Sequence, residues 1–194
     1  MNATPSLLVS NHFTSVPKAD VKVDSNQVIK KASKSFHFAS LLLPERIRPD
    51  ITDLYAFMRY LDDLIDEDEL CIEEKRYVVD QFCPLVSKDA QRKPYELNKD
   101  IMSKFNALQK KYGFGNEILM LFVEGLYWDL ENKEYNSQQD LVQYCIRVAG
   151  TVGLFLCYIM GRKDEYTLYY ACCLGKPHLR SQQQKKIRFN SVIL

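Results

Sequence analysis

Tyr55, Arg59, Asp62 and Asp66 follow one another at spacings of four, three and four residues. On a helix, those spacings put a phenol, a guanidinium and two carboxylates on one face. Leu54, Met58, Leu61 and Ile65 keep the same rhythm one residue earlier, so an apolar stripe runs beside the polar one. Oxygen ligands one turn apart suit Mg²⁺, which keeps several waters and shares its shell with phosphates. Arg59 is either an intrahelical partner of Asp62 or Asp63, or a fork for a diphosphate. The pattern is that of a holder for metal ions and an anionic ligand at the edge of a hydrophobic pocket. Asp63 adds a third carboxylate to this set. Glu67, Asp68 and Glu69, which follow directly, fit a solvated helix end, as most charge runs do.

Three further groups have chemistry to offer. Tyr144-Cys-Ile-Arg-Val-Ala-Gly-Thr-Val-Gly153 sets two glycines in a helical pattern, where each costs about 1 kcal/mol relative to alanine. Ala149, Gly150, Gly153 and Cys157 make a small-residue face. It serves either close helix packing or space for a long ligand, with Tyr144, Val148 and Phe155 as the neighbouring wall. Ser33, Lys34 and Ser35, just ahead of Phe36, are able to meet a phosphate. Gly125 and Asp129 place a carboxylate one turn after a gap.

These groups need helices to position them, and the chain is helical in pattern nearly throughout. Asp24 or Ser25 caps a first helix with Val28, Ile29, Ala32, Phe36, Ala39 and Leu43 inward, ended by Pro44. Pro49 opens a second helix that runs to about Leu70. Further helices are predicted over 72–86, 99–111, 115–131, 138–161 and 163–175, with a loop over 87–99. No strand alternation and no internal repeat is present, so the fold class is all-α. Residues 1–24 are predicted to be a disordered tail, 25–176 the domain, and 177–194 a divergent basic tail.

Composition narrows the partners. The chain of 194 residues has room for one domain with a sizeable core. A formal net charge of +1 implies no nucleic acid partner. The best apolar run, Val148 to Met160, falls short of the roughly 20 residues of a spanning helix, which leaves peripheral contact with a membrane open. The six cysteines lack zinc-type spacing and no secretory segment opens the chain, so reduced core thiols are expected. A cytoplasmic location, or one peripheral to an internal membrane, follows.

Taken in order, the motifs resemble those of the squalene/phytoene synthase family, the head-to-head prenyl-diphosphate condensing enzymes. Ser33-Lys-Ser-Phe36 leading to Leu42-Leu-Pro44 is similar to the family's first helix. Leu54-Tyr-Ala-Phe-Met-Arg59 with Asp62-Asp-Leu-Ile-Asp66 resembles its first aspartate-rich motif. Gly125 to Asp129 and Tyr144 to Gly153 resemble its central patterns. The resemblance implies an isoprenoid-synthase helical bundle, incomplete here, with Mg²⁺ as cofactor and a prenyl diphosphate as substrate. It implies metal ligation by Asp62, Asp63 and Asp66. Catalytic roles fall to Asp62, Asp66, Tyr55 and Arg59, and substrate contacts to Ser33, Ser35, Phe36, Asp129, Tyr144, Val148 and Gly153. Phe36, Phe38 and Tyr144 would supply aromatic faces to an allylic cation.

Within the family, the Asp-Asp-x-x-Asp form is similar to that of phytoene and dehydrosqualene synthases. The resemblance therefore implies joining of two geranylgeranyl diphosphates into phytoene, a step in carotenoid biosynthesis. Two alternatives stay open: a squalene or dehydrosqualene synthase-type enzyme using farnesyl diphosphate, and a catalytically dead helical binding or assembly protein. After Leu174-Gly175-Lys176 the resemblance stops. No acidic residue follows, so the family's second aspartate-rich motif is not in this sequence. The chain by itself is therefore expected to have little synthase activity.

Overall fold

The longest helix, α3 (Arg48–Asp66), begins where Pro49 supplies a preset φ in the first turn. It ends at Asp66, where four successive acidic residues meet the negative end of the helix dipole. The expected extension to Leu70 is therefore absent. Two short helices precede it, α1 (Ser25–Ala32) and α2 (Lys34–Leu41). After it come α4 (Ile72–Phe82), α5 (Lys99–Tyr112) and α6 (Asn116–Leu130). Then α7 (Gln138–Cys145), a π-helical turn over Ile146–Gly150 and α8 (Thr151–Ile159) run on as one rod, and α9 (Glu165–Cys173) folds back along it. This computed structural model describes residues 16–83 and 93–173, and no strand occurs among them. The expected basic tail over 177–194 lies outside the described residues.

Helix α3 is buried on nearly every side. Leu54, Phe57, Met58, Leu61 and Leu64 are all at most 1% exposed. Its neighbours are α1, α5, α6, α2 and α8. A ring of aromatics ties these layers together. Phe57 of α3 stacks on Phe105 of α5 at 3.7 Å between centroids, and Phe155 of α8 meets Phe105 edge-on at 6.1 Å and Phe114 at 4.9 Å. Such aromatic pairs add roughly 0.5–1.5 kcal/mol each beyond the area they bury.

One expected helix is two. Ser33 is extended, at φ −148° and ψ 107°, and its hydroxyl accepts from the Phe36 N–H at 3.2 Å. Serine competes with the helix for backbone groups, so it ends α1 and caps α2. The break turns Ala39 outward, against the inward position that a single helix would give it. The Arg48 guanidinium then accepts no such freedom at the far end of α2: it donates to the carbonyls of Ser40, Leu41 and Leu43 at 3.2, 3.0 and 2.9 Å. These carbonyls lie in the last turn of α2 and just past it, where acceptors lack a full set of helical partners.

The continuous helix Gln138–Ile159 spans 22 residues with a mean hydropathy of 1.5, long and apolar enough to cross a membrane by length and composition. It is longer than the Val148–Met160 run. Half of its most apolar stretch is buried inside the protein, against α6 and α9, as a core helix would be.

The expected disordered tail over 1–24 is corrected for its described part. Asn98, fully buried, caps α5 by accepting from the Ile101 N–H at 3.0 Å, and its amide donates to the carbonyls of Lys18 and Val21 at 2.6 and 2.8 Å. Asp100 accepts from the Val23 N–H at 3.1 Å. Polar composition hid this strap, because the groups that hold it come from a distant helix start. Asn98→Ala removes the cap and strands two carbonyls. A loss of about 2–4 kcal/mol is expected in urea unfolding, with faster tryptic cleavage at Lys18 and Lys22.

Candidate functional site

Arg59 is 1% exposed and cannot shed its proton, so its helix must supply the counter-charge. Asp63, one turn on, does so with two parallel bonds: Nε donates to Oδ2 at 3.0 Å and Nη2 to Oδ1 at 2.5 Å. Asp62 receives only a longer contact, 3.4 Å from Nη1. Of the two roles open to Arg59, the structure adopts the intrahelical one. The Asp63 carboxylate, expected among the metal ligands, is 3% exposed and turned to Arg59. Among the described residues, no group of three or more His, Cys, Asp or Glu side chains converges as a metal cage.

Asp62 is left in an acidic surrounding. Its side chain retains 14% exposure. Burial pushes its carboxyl up to about 8, and the charges of Asp66, Asp63 and Asp129 act in the same direction, against Arg59. Asp66, one turn further, is exposed at the end of α3. Asp129 arrives from α6, and the Tyr144 hydroxyl of α7 donates to its Oδ2 at 2.6 Å. Burial first, and then the Asp129 charge, holds the Tyr144 phenol far above its ordinary range, so it remains a neutral donor. Helices α3 and α6 thus bring carboxylates together, beside the Tyr144 phenol of α7 and one guanidinium already committed.

This donor set fits Mg²⁺. Asp62 and Asp66 would offer hard oxygen donors one turn apart, with further acidic groups around them. Mg²⁺ takes one or two carboxylates and fills the rest of its shell with water and phosphate.

The wall of the site is aromatic. Phe36 of α2 stacks on Tyr55 at 4.9 Å with 26° between the rings. Tyr55 is 3% exposed, and burial raises its phenol well above the usual range while Ser33 hydrogen-bonds to it. Ser33 therefore reaches the site, whereas Ser35 lies exposed on α2 and does not. Phe38, expected as a cavity face, is 65% exposed and points away. On the other side, Tyr135 packs at 5.0 Å from Tyr144. It lies in the loop between α6 and α7, where no helical period could single it out.

The glycines work by packing. A Cβ on Gly125 would stand 2.8 Å from Val148 Cγ1 and 2.9 Å from Arg147 Cβ. On Gly153 it would stand 2.8 Å from the Ala171 carbonyl oxygen, and on Gly150 3.0 Å from that of Cys172. The space beside Gly153, expected as part of the ligand wall, is filled by the α9 backbone. Val148, 3% exposed, seats in the Gly125 gap behind Tyr144.

With this geometry in view, the comparisons are specific. The squalene/phytoene synthase family profile matches residues 29–177. The chain is 34% identical over 155 residues to the phytoene synthase of Cereibacter sphaeroides, covering 77% of this chain and 43% of that protein. It is 29% identical over 170 residues to the 15-cis-phytoene synthase of a Paracoccus species, with 81% and 53% covered. It is also 30% identical over 151 residues to the bifunctional lycopene cyclase/phytoene synthase of Blakeslea trispora, with 71% and 25% covered. The chain belongs to the squalene/phytoene synthase family. It spans about half the length of the first two of these relatives.

Two measurements follow. Between about pH 4 and 8, the folded chain keeps a proton on Asp62 that the unfolded chain releases, so stability falls as pH rises through that window. Asp62→Asn removes this slope: its melting temperature should match the parent near pH 4 and exceed it by several degrees at about pH 9. Mg²⁺ should raise the parent's melting temperature at alkaline pH and leave that of Asp62→Asn nearly unchanged. Separately, Gly153→Val should lower stability by about 1–3 kcal/mol by driving α9 away; an unchanged unfolding midpoint would restore Gly153 to the ligand wall.

Proposed function

We propose that this chain carries the first prenyl-diphosphate site of a phytoene synthase-type prenyltransferase, which joins two geranylgeranyl diphosphates head to head. The observation that supports it is the acidic surplus at Asp62, Asp66 and Asp129, set beside the Phe36–Tyr55 and Tyr135–Tyr144 aromatic pairs. A diphosphate needs a cation-loaded acidic edge, and a prenyl chain needs an apolar wall next to it. Each turnover forms carbon–carbon bonds between the two prenyl units and releases two diphosphates and two protons.

Asp62 and Asp66 would hold Mg²⁺, which supplies charge neutralisation to a departing diphosphate. Arg59 acts through Asp63: the pair fixes which carboxylates stay available at the edge. Tyr55 and Ser33 offer hydroxyls to diphosphate oxygens from the α2 side. Asp129 positions the Tyr144 phenol, whose neutral ring presents a π face able to stabilise a passing allylic cation. Val148 keeps that ring in place, and the buried surroundings of both tyrosines exclude water that would otherwise quench the cation.

A non-reactive thio-analogue of geranylgeranyl diphosphate tests this by calorimetry, without turnover. Binding should require Mg²⁺, and Asp62→Ala should weaken it at least about tenfold, while Asp68→Ala leaves it unchanged. Equal affinity of the Asp62→Ala chain would refute the assignment. Preference for the farnesyl analogue would instead assign the site to the shorter substrate.

A further inference from the structure

We propose that Arg147, with Trp128 as its platform, is a positioning residue for the Tyr144–Asp129 hydrogen bond. The inference deepens the function proposed above and rests on it for one point, that the Tyr144 ring faces the prenyl ligand. Arg147 lies in the π-helical turn, and its guanidinium grips the immediate neighbours of both partners. Nη1 donates to the backbone carbonyl and to Oε1 of Gln143, the residue before Tyr144, at 3.1 and 2.8 Å. Cζ stands 4.3 Å from the ring centre of Trp128, the residue before Asp129. Nη2 and Nε reach Glu124, one turn before Trp128, each at 3.1 Å.

An exposed ion pair would hold little in place, but this one is enclosed: the Arg147 side chain keeps 14% exposure. Its stem has no slack, since its Cβ stands 2.9 Å from where a Cβ on Gly125 would be. The Thr151 hydroxyl donates to the Arg147 carbonyl at 2.5 Å, which ties down the backbone from the next turn. Glu124 fills this fork as Asp63 fills that of Arg59, so the cation fastens α6 to the π-helical turn.

Trp128 receives a second cation from the turn that follows α6. Asn132 takes a left-handed conformation at φ 48°, and the Lys133 N–H donates to the Trp128 carbonyl at 2.9 Å. The chain is thereby turned back on α6, and Lys133 Nζ stands 3.2 Å from the centre of the Trp128 ring. Indole is the best of the aromatic faces for a cation. Tyr135, two residues on, then packs 6.4 Å from Trp128 and 5.0 Å from Tyr144. One ring thus fixes the helix that carries Asp129, the turn that carries Arg147 and the loop that carries Tyr135. A lysine at position 147 would keep the charge and lose the fork, because its single nitrogen cannot hold Gln143, Glu124 and the indole together. The Tyr144 hydroxyl, 2.6 Å from Asp129 Oδ2, would then lose its register with that oxygen.

The test follows the hydroxyl proton of Tyr144 by NMR in the ligand-free chain, its resonance assigned by its loss in Tyr144→Phe. Calorimetry with the thio-analogue of geranylgeranyl diphosphate and Mg²⁺ gives a second readout, both taken well below the melting temperature. In Arg147→Lys the resonance should move upfield or disappear. The same variant should bind the analogue about fivefold to tenfold more weakly, whereas combined with Tyr144→Phe the change should cost less than about twofold. Glu124→Gln keeps the shape of the acceptor and weakens the fork, so it should move the resonance in the same direction; it serves as the variant if Arg147→Lys does not fold. A lower melting temperature with resonance and affinity both unchanged would mean that the guanidinium only stabilises the fold, and overturns the proposal. Equal losses of affinity with and without Tyr144→Phe overturn it as well, because the effect would not pass through Tyr144. A parent chain that binds no analogue refutes the function proposed above, while the resonance, which needs no ligand, still decides this inference.

Discussion

Arg59 is a permanent charge placed in the middle of the most buried helix in the described structure, and much of the site follows from how it is neutralised. A guanidinium in that position is tolerable only with a carboxylate in good geometry, and removing either member of such a pair typically costs about 3–5 kcal/mol. Asp63 lies one turn away on the same helix and matches the guanidinium fork with two bonds. Once that pair forms, Asp62 has only part of a counter-charge and Asp66 and Asp129 add to the deficit around it. The acidic edge is thus a remainder: what is left after the helix has satisfied its own buried cation.

Small residues set the second constraint. Gly125, Gly150 and Gly153 allow α6, the π-helical turn and α9 to approach until backbone and side chains touch. A π turn shifts the register of a helix by part of a turn, and here it lies directly after Tyr144 and Cys145. The result seats Val148 in the gap at Gly125 and leaves the Tyr144 hydroxyl at Asp129. Packing and chemistry are therefore coupled: the close approach at the glycines helps fix where Tyr144 stands.

Helix α2 shows how a single local choice reaches both the site and the surface. Ser33 prefers to bond the Phe36 amide over continuing the first helix. That break aims Phe36 at Tyr55 and leaves Phe38, Leu41 and Leu42 in solvent. Had the helix run straight through to Leu43, Ala39 would have faced inward.

Helical spacing is local, so the amino-acid order alone determined whatever depends on it. The all-α class, the alignment of Tyr55, Arg59, Asp62 and Asp66, the start of α3 at Pro49 and the motifs shared with the squalene/phytoene synthases all follow from neighbours a few residues apart. What spacing leaves open is which of two neighbours wins a partner and what fills a gap. Asp62 and Asp63 are equivalent in sequence reach of Arg59; the fork geometry on a buried face chose Asp63. Gly153 is a vacancy in sequence and a contact in space, because α9 comes back to occupy it. The strap over residues 16–24, the meeting of Asp129 with Tyr144 and the approach of Tyr135 link positions far apart or outside any helical period. Those were decided only by the tertiary structure, since burial and partner geometry depend on where the other helices lie.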